Sequence, residues 1–140
     1  MTGNPNYTMD TGVLFLYFAG GSQGEKVKPY FAEVLRGKAK GTISEVTLAE
    51  SFYKICQSMG IDVARVRDRI IRRSRFRIVP PDETISTFAG QLKCKYGDKI
   101  SLADAFAAAS AQVTKSKLVT TDEELARISE IESLLLKLKP

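Results

Sequence analysis

Apolar positions along the chain alternate between short continuous runs and helical spacing. Asn6–Met9 reads as a strand leading into Asp10-Thr11-Gly12, and Val13–Phe18 is apolar enough for a buried helix. Gly20-Gly21-Ser22-Gln23-Gly24 predicts a loop, and Glu25–Arg36 a second helix with Val27, Tyr30, Phe31, Val34 and Leu35 inward. Gly41–Ser44 is a short strand candidate. The helix after it runs to about Met59, with Leu48, Phe52, Ile55 and Met59 at i, i+4, i+7 and i+11. Val63, Val66 and Ile70 then mark an amphipathic helix with one apolar stripe. Phe76–Val79 reads as a strand stopped by Pro80-Pro81, and Asp82 caps a helix reaching about Tyr96. Ser101–Thr114 is helical and rich in Ala, Lys117–Thr120 is a strand, Asp122–Ile128 a short helix, and Ser133–Leu138 a final strand.

This β-α-β-α order, with no internal repeat and no low-complexity linker, predicts a single α/β domain over residues 1–140. Its sheet should be mainly parallel and covered by helices on both faces, a three-layer arrangement. In such folds ligands bind beyond the carboxyl ends of the strands, where the strand order reverses. The longest strongly apolar run, Val13–Ala19, is too short to span a membrane. The opening Met-Thr-Gly-Asn-Pro lacks a basic n-region and a cleavage pattern, so no signal peptide is expected.

Composition narrows the chemistry. The chain has no His and two Cys, Cys56 and Cys94, which sit apart in helical patterns. Ser-His-Asp and Cys-His catalysis, imidazole acid–base chemistry and zinc sites built on His or four Cys are all excluded. Carboxylates, hydroxyls, amines or a cofactor must carry any reaction. The two thiols are expected to be free in a reducing cytoplasm.

Charge is uneven. Residues 61–77 hold seven Arg against Asp62 and Asp68, a surplus equal to the whole net charge of +5. Arg65, Arg69 and Arg72 recur at i, i+4, i+7 on a face of their own, and Arg73, Arg75 and Arg77 carry the charge onward. Such a row can be a solvated helix face whose stems cover apolar surface. It can equally be a surface for phosphate or for an acidic partner, with Arg65, Arg69, Arg72 and Arg73 as the contacts.

Four acids fall near the predicted carboxyl edge: Asp10 after the first strand, Glu50 in the helix after the second, Asp104 in the Ala-rich helix, and Asp122 after the strand Lys117–Thr120. Each has a structural explanation. Asp10 and Asp122 suit helix amino ends, while Thr47-x-x-Glu50 and Ser101-x-x-Asp104 fit capping-box spacing. Asp104 is the least comfortable, because Leu102, Ala103, Ala105, Phe106, Ala107, Ala108 and Ala109 predict that it is buried. A buried carboxylate needs hydrogen bonds, a partner charge or a metal ion.

Together these residues resemble a family. Asp10-Thr11 after a strand, Thr47-Leu-Ala-Glu50, Ser101-Leu-Ala-Asp104-Ala-Phe-Ala-Ala-Ala and Leu118-Val-Thr120-Thr-Asp122 are similar, in order and over nearly the whole chain, to the PilT N-terminus (PIN) domain, and most to VapC-type toxins of VapBC toxin–antitoxin pairs. The resemblance implies a sheet of about five parallel strands and a cytoplasmic, Mg²⁺- or Mn²⁺-dependent endoribonuclease, often a homodimer, with RNA as substrate and a small antitoxin as partner. It implies Asp10, Glu50, Asp104 and Asp122 as catalytic residues. It further implies Asp10, Asp104 and Asp122 as the metal ligands, with Thr11 and Thr120 expected to position carboxylates or phosphate. Gly12 departs from the pattern, since many members carry Ser or Asn there. Glu45 and Asp98 are read as surface or cap residues. A PIN nuclease of RNA processing without an antitoxin, or a non-catalytic RNA- or protein-binding module, fits the same residues. A phosphoacceptor receiver domain does not, for Asp10-Thr11-Gly12 lacks the required acidic pair.

Overall fold

The computed structural model of the chain describes residues 3–138. Its elements run β1 (Asn6–Met9), α1 (Thr11–Ala19), α2 (Gly21–Leu35), β2 (Lys40–Ser44), α3 (Glu45–Met59), α4 (Ile61–Arg72), β3 (Arg77–Val79), α5 (Glu83–Tyr96), α6 (Leu102–Thr114), β4 (Lys117–Thr120), α7 (Glu123–Ala126) and β5 (Ser133–Leu135). A short 3₁₀ turn, Gly97–Lys99, joins α5 to α6. The five strands form one sheet in the order β3-β2-β1-β4-β5, and every pair is parallel. The chain steps outward from β1 to β2 and β3, then returns to place β4 on the other side of β1. The order therefore reverses between β1 and β4, and in such folds the crevice for ligands lies beyond the carboxyl ends of those strands.

Two apolar clusters lie on opposite faces of the sheet. Met9, Val13, Leu14, Val27, Phe31, Ile43, Leu48, Ile71 and Val119 form one with α1–α4. Val79, Ile85, Leu92, Leu118, Leu125 and the alanines of α6 form the other with α5–α7. Neighbours in β4 thus serve opposite faces, as the two-residue repeat of a strand requires. The alanines, with almost no side chain, let α6 lie close against β1, β2 and β4.

Several elements differ from expectation for identifiable reasons. The glycine-rich segment 20–24 is helix from Gly21 onward, and the chain breaks at Gly20 and Gly21, both at φ +73°. Gly24 serves packing: a Cβ there would stand 2.8 Å from the Leu16 carbonyl oxygen, so α2 crosses α1 at backbone distance. Leu35 and Met59, expected inward, are exposed because each ends its helix beyond the sheet. Val66 and Ile70 are more than half exposed, since α4 packs on α3 through Ala64 and Ile71 instead. The final strand stops at Leu135, with one further ladder bond from the Leu136 amide to the Thr120 carbonyl. Cys56 is half-buried, Cys94 exposed, and both are free. No helix among the described residues is long and apolar enough to cross a membrane.

Candidate functional site

The crevice between β1 and β4 is built from caps. Asp10 ends β1 and caps α1, its Oδ1 accepting from the Val13 amide at 2.8 Å. Its Oδ2 accepts from the Thr120 hydroxyl at the end of β4. That same hydroxyl accepts from the Asp122 amide at 3.0 Å, so one threonine ties the ends of both central strands. Asp122 caps α7, with its Oδ1 accepting from the Glu124 amide at 2.9 Å and the Leu125 amide at 3.3 Å. Asp104 and Ser101 form the reciprocal capping box of α6, both bonds 3.0 Å long. The structural role of these three acids and their convergence on one edge come from the same geometry.

Glu50 is different. The Thr47-x-x-Glu50 box does not form, because Ser44 at the end of β2 caps α3 by accepting from the Val46 amide. Glu50 is half-buried on α3 with no hydrogen bond to a described residue, and the Thr47 hydroxyl is buried without a partner among them. Thr11 is buried at the first position of α1. A Cβ on Gly12 would meet the Thr121 hydroxyl at 3.6 Å and Asp10 Oδ1 at 3.7 Å, so the position has ordinary room for a side chain.

Electrostatics binds the four acids into one group. Burial pushes Asp10, which is 3% exposed, up to about 6; the bonds from Thr120 and Val13 oppose the rise, and the charges of Asp104 and Asp122 add to it. Asp104, half-buried and not enclosed as its neighbours suggested, is raised by burial as well. Its bonds to Ser101 work against the rise, and the charges of Asp122 and Glu50 work with it. No Lys or Arg among the described residues forms an ion pair with any of the four. The donors are all oxygens, and the second oxygens of Asp104 and Asp122 take no hydrogen bond from described residues. That set suits a hard divalent cation. As placed, however, no three acidic side chains among the described residues are close enough to hold one ion, because each cap turns its carboxylate back toward its own helix.

The Arg-rich segment divides. Arg72 is occupied, bidentate on Glu45 at 2.7 and 3.0 Å and bonded to Asp68 at 2.9 Å. Arg65, Arg69 and Arg73 are exposed and free of ion pairs among the described residues. Arg67 lies over the Phe18 ring, 5.3 Å from its centre. Beside it Phe18, Val63, Val66 and Ile70 line an open apolar groove of about 340 Å³. Reasoning from sequence missed this groove because Phe18 and the α4 stripe were both assigned to the core. It also missed Ser44, whose signal was a Ser at a strand end just before Glu45.

Comparison with known proteins matches this architecture. A chain of DNA-bound VapBC from Salmonella typhimurium superposes with a TM-score of 0.73 at 20% identity, covering 93% of this chain and 97% of that one. VapC20 of Mycobacterium tuberculosis, a toxin that cleaves the sarcin–ricin loop, gives 0.71 at 15%, over 89% of this chain and 98% of its own. A chain of VapBC2 from Rickettsia felis, bound to a promoter DNA fragment, gives 0.69 at 20%, over 93% and 98%. At these identities the likeness is one of fold. Among curated proteins, none matches the sequence. The model of the PIN domain family, by contrast, matches residues 7–131, nearly the whole chain from β1 to the approach to β5, and the protein belongs to that family.

Proposed function

We propose that this chain is a cytoplasmic, metal-dependent endoribonuclease acting as the toxin of a VapBC-like toxin–antitoxin pair. The observation that carries the reading is the group of four carboxylates at the strand-order reversal, mutually repelling and unmatched by any described Lys or Arg. Asp10, Asp104 and Asp122 would hold Mg²⁺ or Mn²⁺, directly or through water, with Glu50 orienting the ion or a water molecule. A bound divalent ion would polarise the scissile phosphate and make water a competent nucleophile near neutral pH. The chain's own contribution is placement. Thr120 holds Asp10 Oδ2 and the Asp122 backbone in fixed relation, the Ser101 box fixes the root of Asp104, and Thr11 lines the start of α1.

The apolar groove of Phe18 and α4, bordered by Asp62 and Arg67, supports a protein partner such as an antitoxin with an apolar segment. A second copy of the chain is a further expected partner. Light scattering of the purified protein should give a dimer mass, and a monomer at all concentrations would remove that part. The main test is cleavage of defined RNAs by wild type and Asp10→Asn, with and without Mn²⁺. The expected outcome is cleavage only by wild type with metal. Equal cleavage by a nuclease-free Asp10→Asn preparation would overturn the assignment. Growth arrest on expression, relieved by the product of a neighbouring small frame, separates the toxin from an RNA-processing nuclease.

A further inference from the structure

The Arg-rich segment does not keep all its charge on α4. After the helix the Ser74 hydroxyl donates to the Ile71 carbonyl and accepts from the Phe76 amide, and Phe76 is buried. This turn sends Arg75 and Arg77 to the amino end of β3. There they meet Lys40, at the amino end of β2, because the two strands run parallel with Thr42 opposite Arg77. With Asn6 and Thr114 they line an open cavity of about 460 Å³ at the amino edge of the sheet.

No acidic residue lines this cavity, and among the described residues none of the three cations forms an ion pair. The Arg75 guanidinium lies against Gly37, where a Cβ would meet it, and Gly37 takes the left-handed backbone, φ +77°. Three like charges gathered without counter-charge repel each other, so an anion would relieve them. Guanidinium groups favour phosphate oxygens, which they can grip in pairs. The apolar residues nearby, Val34 and Phe76, are buried beneath the cavity and offer nothing for a protein side chain to pack on. The groove at Phe18 has the opposite character, and the two surfaces suit different partners.

We propose that the Lys40–Arg75–Arg77 cavity binds backbone phosphates of an RNA engaged at the acidic edge, a second subsite that adds affinity and length preference but no chemistry. The inference rests on the ribonuclease reading of that edge. From Asn6 to Asp10 the strand rises four residues, about 13 Å, so one nucleotide cannot occupy both places. A longer strand can, by passing around the helices that cover the sheet.

The test uses full-length Lys40→Gln/Arg77→Gln, both side chains exposed at strand ends, with Lys40→Arg/Arg77→Lys as the charge-preserving control. Binding is measured in EDTA by fluorescence anisotropy against salt, with an RNA of about fifteen nucleotides and with a trinucleotide. The Gln variant should bind the long RNA roughly tenfold more weakly, with a log–log salt slope smaller by about 1.4, two single-strand contacts. The trinucleotide and the control variant should behave as wild type. In Mn²⁺ the Gln variant should raise KM for long RNA and leave kcat unchanged. Unchanged affinity and slope for long RNA would overturn the subsite. So would stabilisation of wild type but not the Gln variant by inorganic phosphate with RNA binding untouched, which marks a small-anion site. Loss of poly-glutamate binding alone, which marks an acidic protein partner, would overturn it too. If wild type cleaves no RNA yet the Gln variant still loses affinity and slope, the subsite stands and the nuclease reading falls. If wild type cleaves and the Gln variant binds with unchanged affinity, the nuclease reading stands and the subsite falls.

Discussion

Two sets of acids in this molecule meet opposite fates. On the surface, Glu45 receives both arms of Arg72 and is held below the usual carboxylate range by those hydrogen bonds. Glu130, bonded by Lys95 and the Tyr96 hydroxyl, is pulled down to about 2. At the crevice Asp10 and Asp104 move the other way, raised by burial and by their acidic neighbours. The surface acids are paired with cations by the fold itself, while Asp10 and Asp104 form no ion pair with a described Lys or Arg. That contrast separates carboxylates that stabilise the protein from carboxylates that it maintains at a cost.

The comparison breaks most sharply at Asp10. Asp10→Asn should lower metal-dependent RNA cleavage by about 100-fold or more, measured on one defined substrate. In metal-free buffer at pH 7 the relief of a buried charge in the same variant is offset by about 1–3 kcal/mol, because an amide cannot accept from both Val13 and Thr120 as the carboxylate does. Denaturant unfolding should therefore show a small net change.

The pH dependence follows from signs. Asp10 has its folded pKa near 6, above the ordinary value of 3.8, so the folded state holds the proton more tightly. Its contribution is fully present below pH 4 and is lost as pH rises to about 6, up to roughly 3 kcal/mol for metal-free protein. Glu130 has a depressed pKa, so its contribution is present above about pH 4.5 and fades as pH falls toward 2. Thermal melts in EDTA should show stability falling between pH 4 and 6 in wild type and a smaller fall in Asp10→Asn, where the raised Asp104 carboxyl remains. In Glu130→Gln only the acid-side loss should shrink.

Thr120→Val should come next in size. It removes the hydroxyl that donates to Asp10 and accepts from Asp122, costing about 1–3 kcal/mol and pushing the Asp10 pKa higher still. Titration of the Asp10 carboxyl by NMR would show the shift. Breaking a satisfied pair should matter least: Glu45→Gln leaves exposed Arg72 with Asp68 and should cost under about 1 kcal/mol. RNA cleavage by that variant should stay near wild type, and a large loss would mean that Arg72 serves the crevice.

Much of this was legible from residue order. The alternation of apolar runs marked the five strands and the parallel sheet, because a strand buried on both faces leaves a short continuous signature, as Leu118-Val119 does. The four acids were legible as a set for a related reason: caps and ligand sites share the carboxyl edge. What stayed hidden depends on packing between elements. Gly21–Gly24 carry loop composition, yet the close crossing of α2 on α1 makes the same glycines helical. The stripe of α4 has core periodicity, yet Val66 and Ile70 face outward because α3 takes the opposite side. Lys40 joins Arg75 and Arg77 only through the β2–β3 register, which no local pattern encodes.

A divalent cation that completes the crevice acids would explain why the fold leaves them without positive charge. Calorimetric titration of Mn²⁺ into wild type, Asp104→Asn and Glu45→Gln tests this most directly. Saturable binding in wild type and Glu45→Gln, weakened about tenfold or more in Asp104→Asn, is the predicted result. Absence of saturable binding to wild type, or equal binding by all three proteins, would contradict it.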